Sequence, residues 1–323
     1  MGDTTSDSER IFDAFSNATN NVITSATSKI NEVYYTMSNN STLFIGLFAV
    51  VVITVIIAAL LYTYLGWTLF AKVENSVDGT KVPILGNQLN KFVANVNNTA
   101  NGTRRSFSFW IYINDMTKFK GQYKNVLGLI NDNTEFASNK CSPHIFLDKD
   151  NNSMYIRFTN KYDKEISRKC ADLSTDSTLL NYLKSGIEIK YVPLQRWVHI
   201  AIVCNTDSFK TTVYAYVDGD LVNTRYDKEL FVLSKYANDP TKTSVPAELN
   251  DINLNTSGFL FVGSNPDGIC GPGFSGLISN FSTFNYELNN KDIYAIYNRG
   301  PINGFLAALG LGAYGVRSPI YKL

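Results

Sequence analysis

The residues from Leu43 to Leu65, LFIGLFAVVVITVIIAALLYTYL, form an uncharged apolar stretch that constrains the fold of the whole chain. As a helix with a rise of about 1.5 Å per residue, it would cross a hydrocarbon core roughly 30 Å thick. Most of its residues are Leu, Ile, Val or Phe, which each favour insertion by roughly 0.3 to 0.6 kcal/mol near a bilayer centre. Tyr62, Tyr64 and Trp67 follow at the C-terminal end, where aromatic rings prefer the headgroup layer. The stretch therefore predicts a single-pass membrane helix and a lipid bilayer as one partner.

Two other interpretations of this stretch fit less well. A buried helix of a soluble domain usually keeps a polar stripe, whereas Leu43 to Leu65 is apolar all round. A cleaved signal peptide would be shorter, would lie closer to the N-terminus and would follow a basic segment. We therefore expect the anchor to be retained and to divide the chain into a short N-terminal part and a large C-terminal part.

The composition excludes a general attraction to polyanions. The chain has 323 residues and a formal net charge of +1, so nothing in its overall charge points to nucleic acid as a partner. About 250 residues follow the anchor, which is enough for one large all-β domain with a substantial core. Function must therefore come from local features of that domain.

Residues 1–42 form a polar, acidic segment before the anchor. In it, Ile23, Ile30 and Met37 recur at a heptad spacing that indicates an amphipathic helix. A weakly ordered Ser/Thr/Asn tail explains the same composition equally well. Lysines are sparse on both sides, with Lys29 before the anchor and Lys72 after it, and the positive-inside tendency weakly favours a cytosolic position for the large domain.

Strand periodicity begins clearly at Ser106. In SFSFWIYI, residues 107, 109, 111 and 113 share one face and the residues between them share the other, which predicts a half-buried strand. Further short apolar runs, separated by Asp/Asn/Gly turns, predict a β-sandwich over residues 106–301. Residues 43–70 are assigned to the membrane helix and its exit, and residues 71–105 to a stalk of about 30 to 40 residues with a possible first edge strand.

Four segments interrupt or follow the strands. Asp176 to Lys184 and Asn290 to Asn298 place their apolar residues on one face and are predicted as short packing helices. Leu233 to Leu254 contains two prolines and many polar residues, so we expect a long loop there. The C-terminal tail, residues 302–323, is apolar and glycine-rich but too short and interrupted to cross a bilayer.

The four cysteines do not have the spacing of a metal site. Cys141 and Cys170 flank a polar hairpin region and could form a disulfide, whereas Cys204 ends an apolar strand and is expected to be a small buried hydrophobic residue. No cofactor is expected, with Ca²⁺ as the one alternative considered below.

Four segments in a fixed order resemble the concanavalin A-like lectin/glucanase superfamily in its laminin G-like form: VPLQRWVHIAIVC, TTVYAYVDGDLV, GFLFVGS and GFSGLISNFSTFNYELNNKDIYAIYNRGP. The resemblance implies an all-β, jelly-roll sandwich with short helices. Its motif positions here are Trp197 at a strand entry, His199 in a buried polar site, Asp218 and Gly219 in a hairpin turn, and Gly276 at the start of a strand.

With its N-terminal anchor, the chain also resembles membrane-anchored proteins of this superfamily from large DNA viruses of algae and protists. That likeness implies a virion component, a minor capsid or inner-membrane protein, with capsid or membrane proteins as partners and host membranes as its location during assembly. Because the superfamily includes lectins, an attachment lectin that binds glycans is the alternative.

Enzymatic activity is not expected. Glucanases of this superfamily carry paired carboxylates on a strand, typically as ExDxxE, and the sequence has no such pattern. Glu165 and Glu188 are isolated in the sequence. A glycan hydrolase is therefore the least favoured function.

Weak ligand candidates remain in two loops. Asp148, Asp150 and Asn152 could offer oxygens to Ca²⁺, although a polar hairpin turn explains them better, and Asp267 could contribute to a calcium or sugar site. Glycosylation sequons occur at several asparagines and matter only in a secretory lumen. They lie at Asn17, Asn39, Asn40, Asn97, Asn101, Asn151, Asn255 and Asn280.

Overall fold

The computed structural model describes residues 20–32, 34–36, 41–65, 74–94, 104–131, 140–160, 173, 175–207, 210–234, 244–250, 252–254, 257–264 and 273–301. The chain divides into two units, Met1–Tyr64 and Leu65–Leu323. The first is helical where it is described, and the second is mostly β-sheet.

The N-terminal unit contains a first helical segment at residues 20–32 and 34–36, followed by helix α1, Ser41–Leu65. The predicted amphipathic helix is thus helical over its described part, and the predicted anchor is helical throughout. All side chains described in α1, those of residues 45–60, are exposed. Over the residues that the structure describes, none of the helices combines the length and apolarity needed to cross a membrane.

The second unit is a β-sandwich built from seventeen strands within the described part of the chain. They are β1 (Glu74–Ser76), β2 (Ile84–Leu85), β3 (Asn90–Ala94), β4 (Arg105–Asp115), β5 (Lys124–Ile130), β6 (His144–Leu147), β7 (Met154–Arg157), β8 (Thr159–Asn160), β9 (Gly186–Ile189), β10 (Trp197–Asp207), β11 (Lys210–Val217), β12 (Asp220–Tyr226), β13 (Leu230–Phe231), β14 (Val245–Pro246), β15 (Ile252–Asn253), β16 (Gly258–Val262) and β17 (Ser275–Phe284).

Two large antiparallel sheets form the layers of the sandwich. The seven-stranded sheet has the order β1-β17-β4-β10-β11-β12, with β2 also paired to β17, and the six-stranded sheet has the order β3-β16-β5-β6-β7-β9. Two further pairs, β13 with β14 and β15 with β8, lie beside them. Non-consecutive strands are neighbours in both sheets, as in a sandwich with crossover connections.

The main core lies between the sheets because inward-facing residues of each strand alternate with outward-facing ones. Phe107, Phe109, Ile111 and Ile113 of β4 are fully buried in it, as the sequence period predicts. However, β4 is not half-buried. Ser106, Ser108 and Trp110 on its other face are buried too, because the segment around helix α3, Asn290–Arg299, covers that face.

The region predicted as a stalk belongs largely to the sandwich. Strand β1 pairs with β17, and β3 pairs with β16, so residues 74–94 contribute to both sheets. Val77 and Ala94 are buried in the main core. The expected stalk of 30 to 40 residues is therefore too long, whereas the possible first edge strand exists as three short strands.

The two predicted packing helices are present. Helix α2, Asp176–Tyr182, continues as a 3₁₀ turn, Leu183–Ser185, and covers the outer face of the six-stranded sheet. Helix α3 covers the outer face of the seven-stranded sheet through Ile293 and Ile296. Both begin with a reciprocal capping box, in which Thr175 and Asn289 accept the N3 backbone N–H. The predicted loop at residues 233–254 includes strands β14 and β15 within its described part.

Candidate functional site

The β11–β12 hairpin lies at the centre of the candidate site. Asp218 and Gly219 both have positive φ angles, 53° and 93°, as the predicted Asp-Gly turn requires. The Asp218 carboxylate accepts the backbone N–H of His199 at 2.8 Å and the Nη2 of Arg196 at 2.6 Å. Asp218 therefore joins the hairpin to the start of β10, and the motif residues His199, Asp218 and Gly219 converge in space.

His199 lies beneath this hairpin, fully buried on the outer face of the seven-stranded sheet. Its Nε2 and the Ser108 hydroxyl are 2.8 Å apart, and its ring lies 5.1 Å from that of Trp110. Its Nδ1 is buried without a hydrogen-bond partner among the described residues. The predicted buried polar site is therefore only half satisfied, and desolvation lowers the pKa of His199 to about 3. The imidazole stays neutral at physiological pH.

Aromatic rings of α3 complete the site, which we call the aromatic surface and define as Trp110, Arg196, Asp218, Tyr294 and Tyr297. Tyr297 stacks on Trp110, with ring centroids 5.7 Å apart and planes inclined by 16°. Tyr294 is 56% exposed and lies 5.9 Å from Tyr297. Burial and the Asp218 carboxylate raise the pKa of the Tyr297 phenol, and Arg196 opposes that shift.

The aromatic surface combines an exposed ring with a partly exposed ion pair. The Arg196 and Asp218 side chains remain 29% and 15% exposed, so each can still reach a ligand. Trp, Tyr and Arg are the residues that most often dominate binding energy at interfaces. The exposed ring of Tyr294 beside the charged pair could stack on an apolar face of a ligand, and the pair could hydrogen-bond to its polar groups.

A second group of polar residues is buried under α2, on the outer face of the six-stranded sheet. The Tyr155 hydroxyl donates to Asp148 Oδ2 at 2.9 Å, and Tyr155 lies opposite Glu188 on strand β9. Glu188 accepts the Ser234 hydroxyl and N–H. Its position in the sequence indicated an isolated carboxylate. In the structure, Glu188 instead has hydrogen-bond partners from Ser234. Desolvation by burial raises its pKa.

The carboxylates of this group are buried. Asp148 and Glu188 are each about 2% exposed, and Tyr155 is 1% exposed. His144 on the same face lies within hydrogen-bond distance of the Tyr182 hydroxyl of α2, at 2.9 Å. The His144–Tyr182 contact thus joins the sheet to its covering helix.

The Ca²⁺ candidates Asp148, Asp150 and Asn152 form a tight hairpin. Asp148 Oδ1 accepts the N–H groups of Asp150 and Asn151, and Asn152 donates its amide to the Val192 carbonyl. The buried ammonium of Lys124 donates to the backbone carbonyls of Gln122, Asp148 and Lys149. The described residues thus form the expected hairpin, with the Lys124 side chain against its carbonyls, and the calcium role stays a prediction.

The other sequence candidates have mixed outcomes. Asp267 and Cys170 lie outside the described residues, so the sugar or calcium role of Asp267 and the Cys141–Cys170 disulfide stay predictions. Cys141 and Cys204 are both buried, and burial raises the pKa of the Cys204 thiol. Within the described ranges, His, Cys, Asp and Glu side chains form no group of three that could hold a metal ion.

Sequence reasoning missed most of the aromatic surface. Of the five residues of this surface, the motif pattern selected only Asp218. Arg196 directly precedes the motif residue Trp197, and Tyr294 and Tyr297 are three residues apart on a predicted helix. That i, i+3 spacing puts the two rings on one face of the helix. It is the sequence pattern from which the aromatic surface could have been predicted.

Comparisons with known proteins give structural likeness only. No family model and no curated protein matches the sequence. The binding domain of botulinum neurotoxin DC in complex with SialylT is 17% identical, covers 65% of this chain and 39% of its own, and superposes with a TM-score of 0.38. The same domain in complex with rat synaptotagmin II is 17% identical, covers 64% and 39%, and has a TM-score of 0.37.

The binding domain of botulinum neurotoxin serotype D is 15% identical, covers 71% of this chain and 47% of its own, and has a TM-score of 0.39. The chain thus spans less than half the length of these structures. Neither a laminin G assignment nor a viral origin gains support from them. Because TM-scores below 0.5 do not define a common fold, the sandwich assignment rests on the sheet topology itself.

Proposed function

We propose that this chain is a membrane-anchored, non-catalytic interaction module of the concanavalin A-like, laminin G-like type, and that the aromatic surface contacts its partner. The observation that carries the proposal is the exposed ring of Tyr294 beside Tyr297 and the partly exposed Arg196–Asp218 pair. These groups are held by a sheet and a capped helix, so little conformational entropy is lost on binding.

Helix α1 is proposed as the anchor from its sequence, Leu43 to Leu65, of which the structure describes the side chains of residues 45–60 only. It is uncharged from Leu43 to Leu65, and its described side chains are apolar on all sides and exposed, which favours a lipid environment over water. Two arginines placed on it, Ile53→Arg with Ile56→Arg, should release the chain from membranes into alkaline carbonate because each costs roughly 3 kcal/mol at a bilayer centre. The control pair Ile53→Leu with Ile56→Leu should stay in the membrane. Carbonate extraction of the unmodified chain would contradict the anchor.

The absence of catalysis is supported by the burial of Asp148 and Glu188 and by their hydrogen bonds to Tyr155 and Ser234. Glycoside hydrolysis needs two carboxyl groups that flank a bound sugar ring. The purified chain should therefore not turn over a panel of glucans. Release of reducing sugar, lost in Glu188→Gln, would revive the hydrolase hypothesis.

A glycan is the second candidate partner, and the combination of the exposed Tyr294 with the half-buried Tyr297, Arg196 and Asp218 favours it. Detergent-solubilised chain on a glycan array, with and without Ca²⁺, should give signals that Tyr294→Ala and Arg196→Gln each reduce about tenfold or more. Tyr226→Ala is the matched control, because Tyr226 is also exposed but lies at the far end of β12, roughly 20 Å from Asp220 at about 3.3 Å per residue. Glycan binding that survives both substitutions would place the site elsewhere.

The proposed location of the protein is based on its resemblance to membrane-anchored proteins of large DNA viruses. We infer that the module belongs to a virion, as a minor capsid or inner-membrane component. During assembly it would be located in host membranes. The likeness to anchored viral proteins motivates this step. Purified particles should hold the chain in their detergent-soluble fraction, whereas its presence only in host cytosol would contradict the inference.

A further inference from the structure

One sequon of the sandwich lies where a glycan cannot be placed. Asn280, Phe281 and Ser282 form the sequence Asn-Phe-Ser in strand β17. Asn280 is 7% exposed, Phe281 is fully buried in the main core and Ser282 is 3% exposed. An oligosaccharide attached to the Asn280 amide nitrogen would need an open path to solvent, which the folded domain does not provide.

The Asn280 side chain also has a structural task. Asn280 has a positive φ of 51° at a break in the pairing between β17 and β4. Its Nδ2 donates to the Pro301 carbonyl at 2.9 Å and to the Gly300 carbonyl at 3.4 Å, and its backbone N–H donates to the Thr80 carbonyl at 2.6 Å. This one residue therefore joins β17 to the end of α3 and to the segment after β1.

The atom that a glycosyltransferase would modify, Asn280 Nδ2, is thus the atom that hydrogen-bonds to the carbonyls at the end of α3. Modification replaces one hydrogen of Nδ2 by a sugar, which removes a donor and adds a large polar group between Asn280 and the carbonyls of residues 300 and 301. Burial of that group would leave its hydroxyls unpaired, so the surrounding segments would have to open. Glycosylation of Asn280 and folding of the sandwich exclude each other.

We propose that Asn280 is an N-glycosylation acceptor only in the unfolded chain, and that the sandwich folds on the cytosolic side of the membrane, where Asn280 meets no glycosyltransferase. The orientation rests on the anchor proposed above. In a secretory lumen the transferase acts on the chain before it folds, and Asn280 would be exposed to it. On the cytosolic side Asn280 stays unmodified and remains available to fasten α3.

Two other sequons report the orientation independently. Asn151 lies in the exposed hairpin between β6 and β7, where a glycan can be attached without disturbing the core. Asn17 lies before the anchor, on the opposite side of the membrane from Asn151 if α1 spans it. The proposed orientation predicts a glycan at Asn17 and none at Asn151.

The test uses the full chain in glycosylating eukaryotic cells, in its own orientation and in a reversed one made by inserting four arginines before Ser41. Glycans are mapped by mass spectrometry after endoglycosidase treatment, and folding is measured as a protease-resistant core. The native chain should carry no glycan at Asn151 or Asn280 and should keep its resistant core. The reversed chain should be glycosylated at both residues and lose that core.

Two interventions separate glycosylation from other causes of misfolding in the reversed chain. Ser282→Ala removes the sequon but keeps Asn280, and it should restore the resistant core while Asn151 stays glycosylated. The same substitution in the native orientation reports its own cost to the fold. Tunicamycin, which blocks all N-glycosylation, should restore the core of the unsubstituted reversed chain.

Each contrary outcome overturns a stated part of the proposal. A glycan on Asn151 of a native, carbonate-resistant chain overturns the orientation but leaves the anchor intact. A native chain that carbonate extracts overturns the anchor and the orientation together. A reversed chain with glycosylated Asn280 and an intact resistant core overturns the exclusion between modification and folding.

Discussion

At the scale of single residues, the sandwich buries polar groups on both of its outer faces. His199 lies against Trp110 under one helix, and Glu188 lies near Tyr155 on the sheet face under the other. Each has a pKa moved away from its ordinary value by desolvation, because the covering helices remove water from the sheet faces. Both groups therefore make the stability of the domain depend on pH, in opposite directions.

His199 should make the domain sensitive to acid. The unfolded chain protonates this residue below its ordinary pKa of 6.5, whereas the folded chain does so only near 3. Its contribution to stability is complete above pH 6.5 and is lost as the pH falls towards 3, by up to about 1.4 kcal/mol per pH unit. Chemical denaturation of the wild type and His199→Gln across this window should show a smaller slope for the variant. Trp110→Phe, which removes a neighbour but no titrating group, should keep the wild-type slope.

Glu188 should act in the opposite direction. Its pKa is raised in the folded state, so the folded chain keeps a proton that the unfolded chain releases. Its contribution is complete below the ordinary value of 4.5 and is lost as the pH rises from there through the folded pKa. Relative to wild type, Glu188→Gln should therefore gain stability as the pH is raised through this range. A difference in unfolding free energy that does not change with pH would contradict the assignment.

At the scale of elements, capped helices and close strand contacts hold the two layers and their covers together. Gly276 of β17 shows how little space some contacts leave, since a Cβ there would lie 1.9 Å from the Tyr112 carbonyl oxygen and 2.7 Å from the Phe274 ring. The motif glycine is thus required by the approach of β17 to β4. Helix α3 contributes twice, because its buried side packs on the sheet and its exposed side carries Tyr294.

The fit of β17 can be tested by Gly276→Ala. The added methyl group meets backbone, which cannot move without shifting the strand, so we expect a loss of about 3 kcal/mol or more. Ser275→Ala on the neighbouring, partly exposed position should change stability by less than about 0.5 kcal/mol. Urea denaturation of both variants makes the comparison, and equal midpoints would contradict the steric argument.

Substitutions on the two sides of α3 should have different effects, one on stability and the other on partner binding. Ile293 is fully buried, so Ile293→Ala should cost about 2 to 5 kcal/mol of stability. Tyr294→Ala, one residue further on the exposed side, should leave the unfolding free energy within about 0.5 kcal/mol while it weakens partner binding. Denaturation and binding measured on the same preparations test this. A large stability loss in Tyr294→Ala would mean that the ring is structural.

At the scale of the whole molecule, the sandwich begins at an earlier residue than the clear strand alternation does. Its first strand starts at Glu74, and the alternation starts at Ser106. Strands β1, β2 and β3 add edge pairs to both sheets and bring Val77 and Ala94 into the core. The helical N-terminal residues and the sandwich belong to separate units, Met1–Tyr64 and Leu65–Leu323. The domain is therefore defined by long-range pairing and not by the point where alternation becomes obvious.

Truncation tests this boundary. A fragment of residues 72–301 retains β1 to β3 and should unfold cooperatively, whereas a fragment of residues 106–301 exposes the edges of β16 and β17 and should be aggregated or unfolded. Circular dichroism melts and size-exclusion chromatography distinguish the two results. A shorter fragment that is equally stable would show that the first three strands are dispensable.

The sequence by itself determined the elements that local pattern controls. The alternation in β4 and β10, the Asp218-Gly219 turn and the apolar faces of α2 and α3 each fix a local conformation, because burial and backbone sterics act over neighbouring residues. Only the tertiary structure decided which faces are covered. Helix α3 buries the second face of β4, Tyr155 lies near Asp148 and Glu188, and Asn280 meets the end of α3, all through contacts between residues far apart in the chain. No local period records such contacts, and the aromatic surface and the buried sequon depend on them.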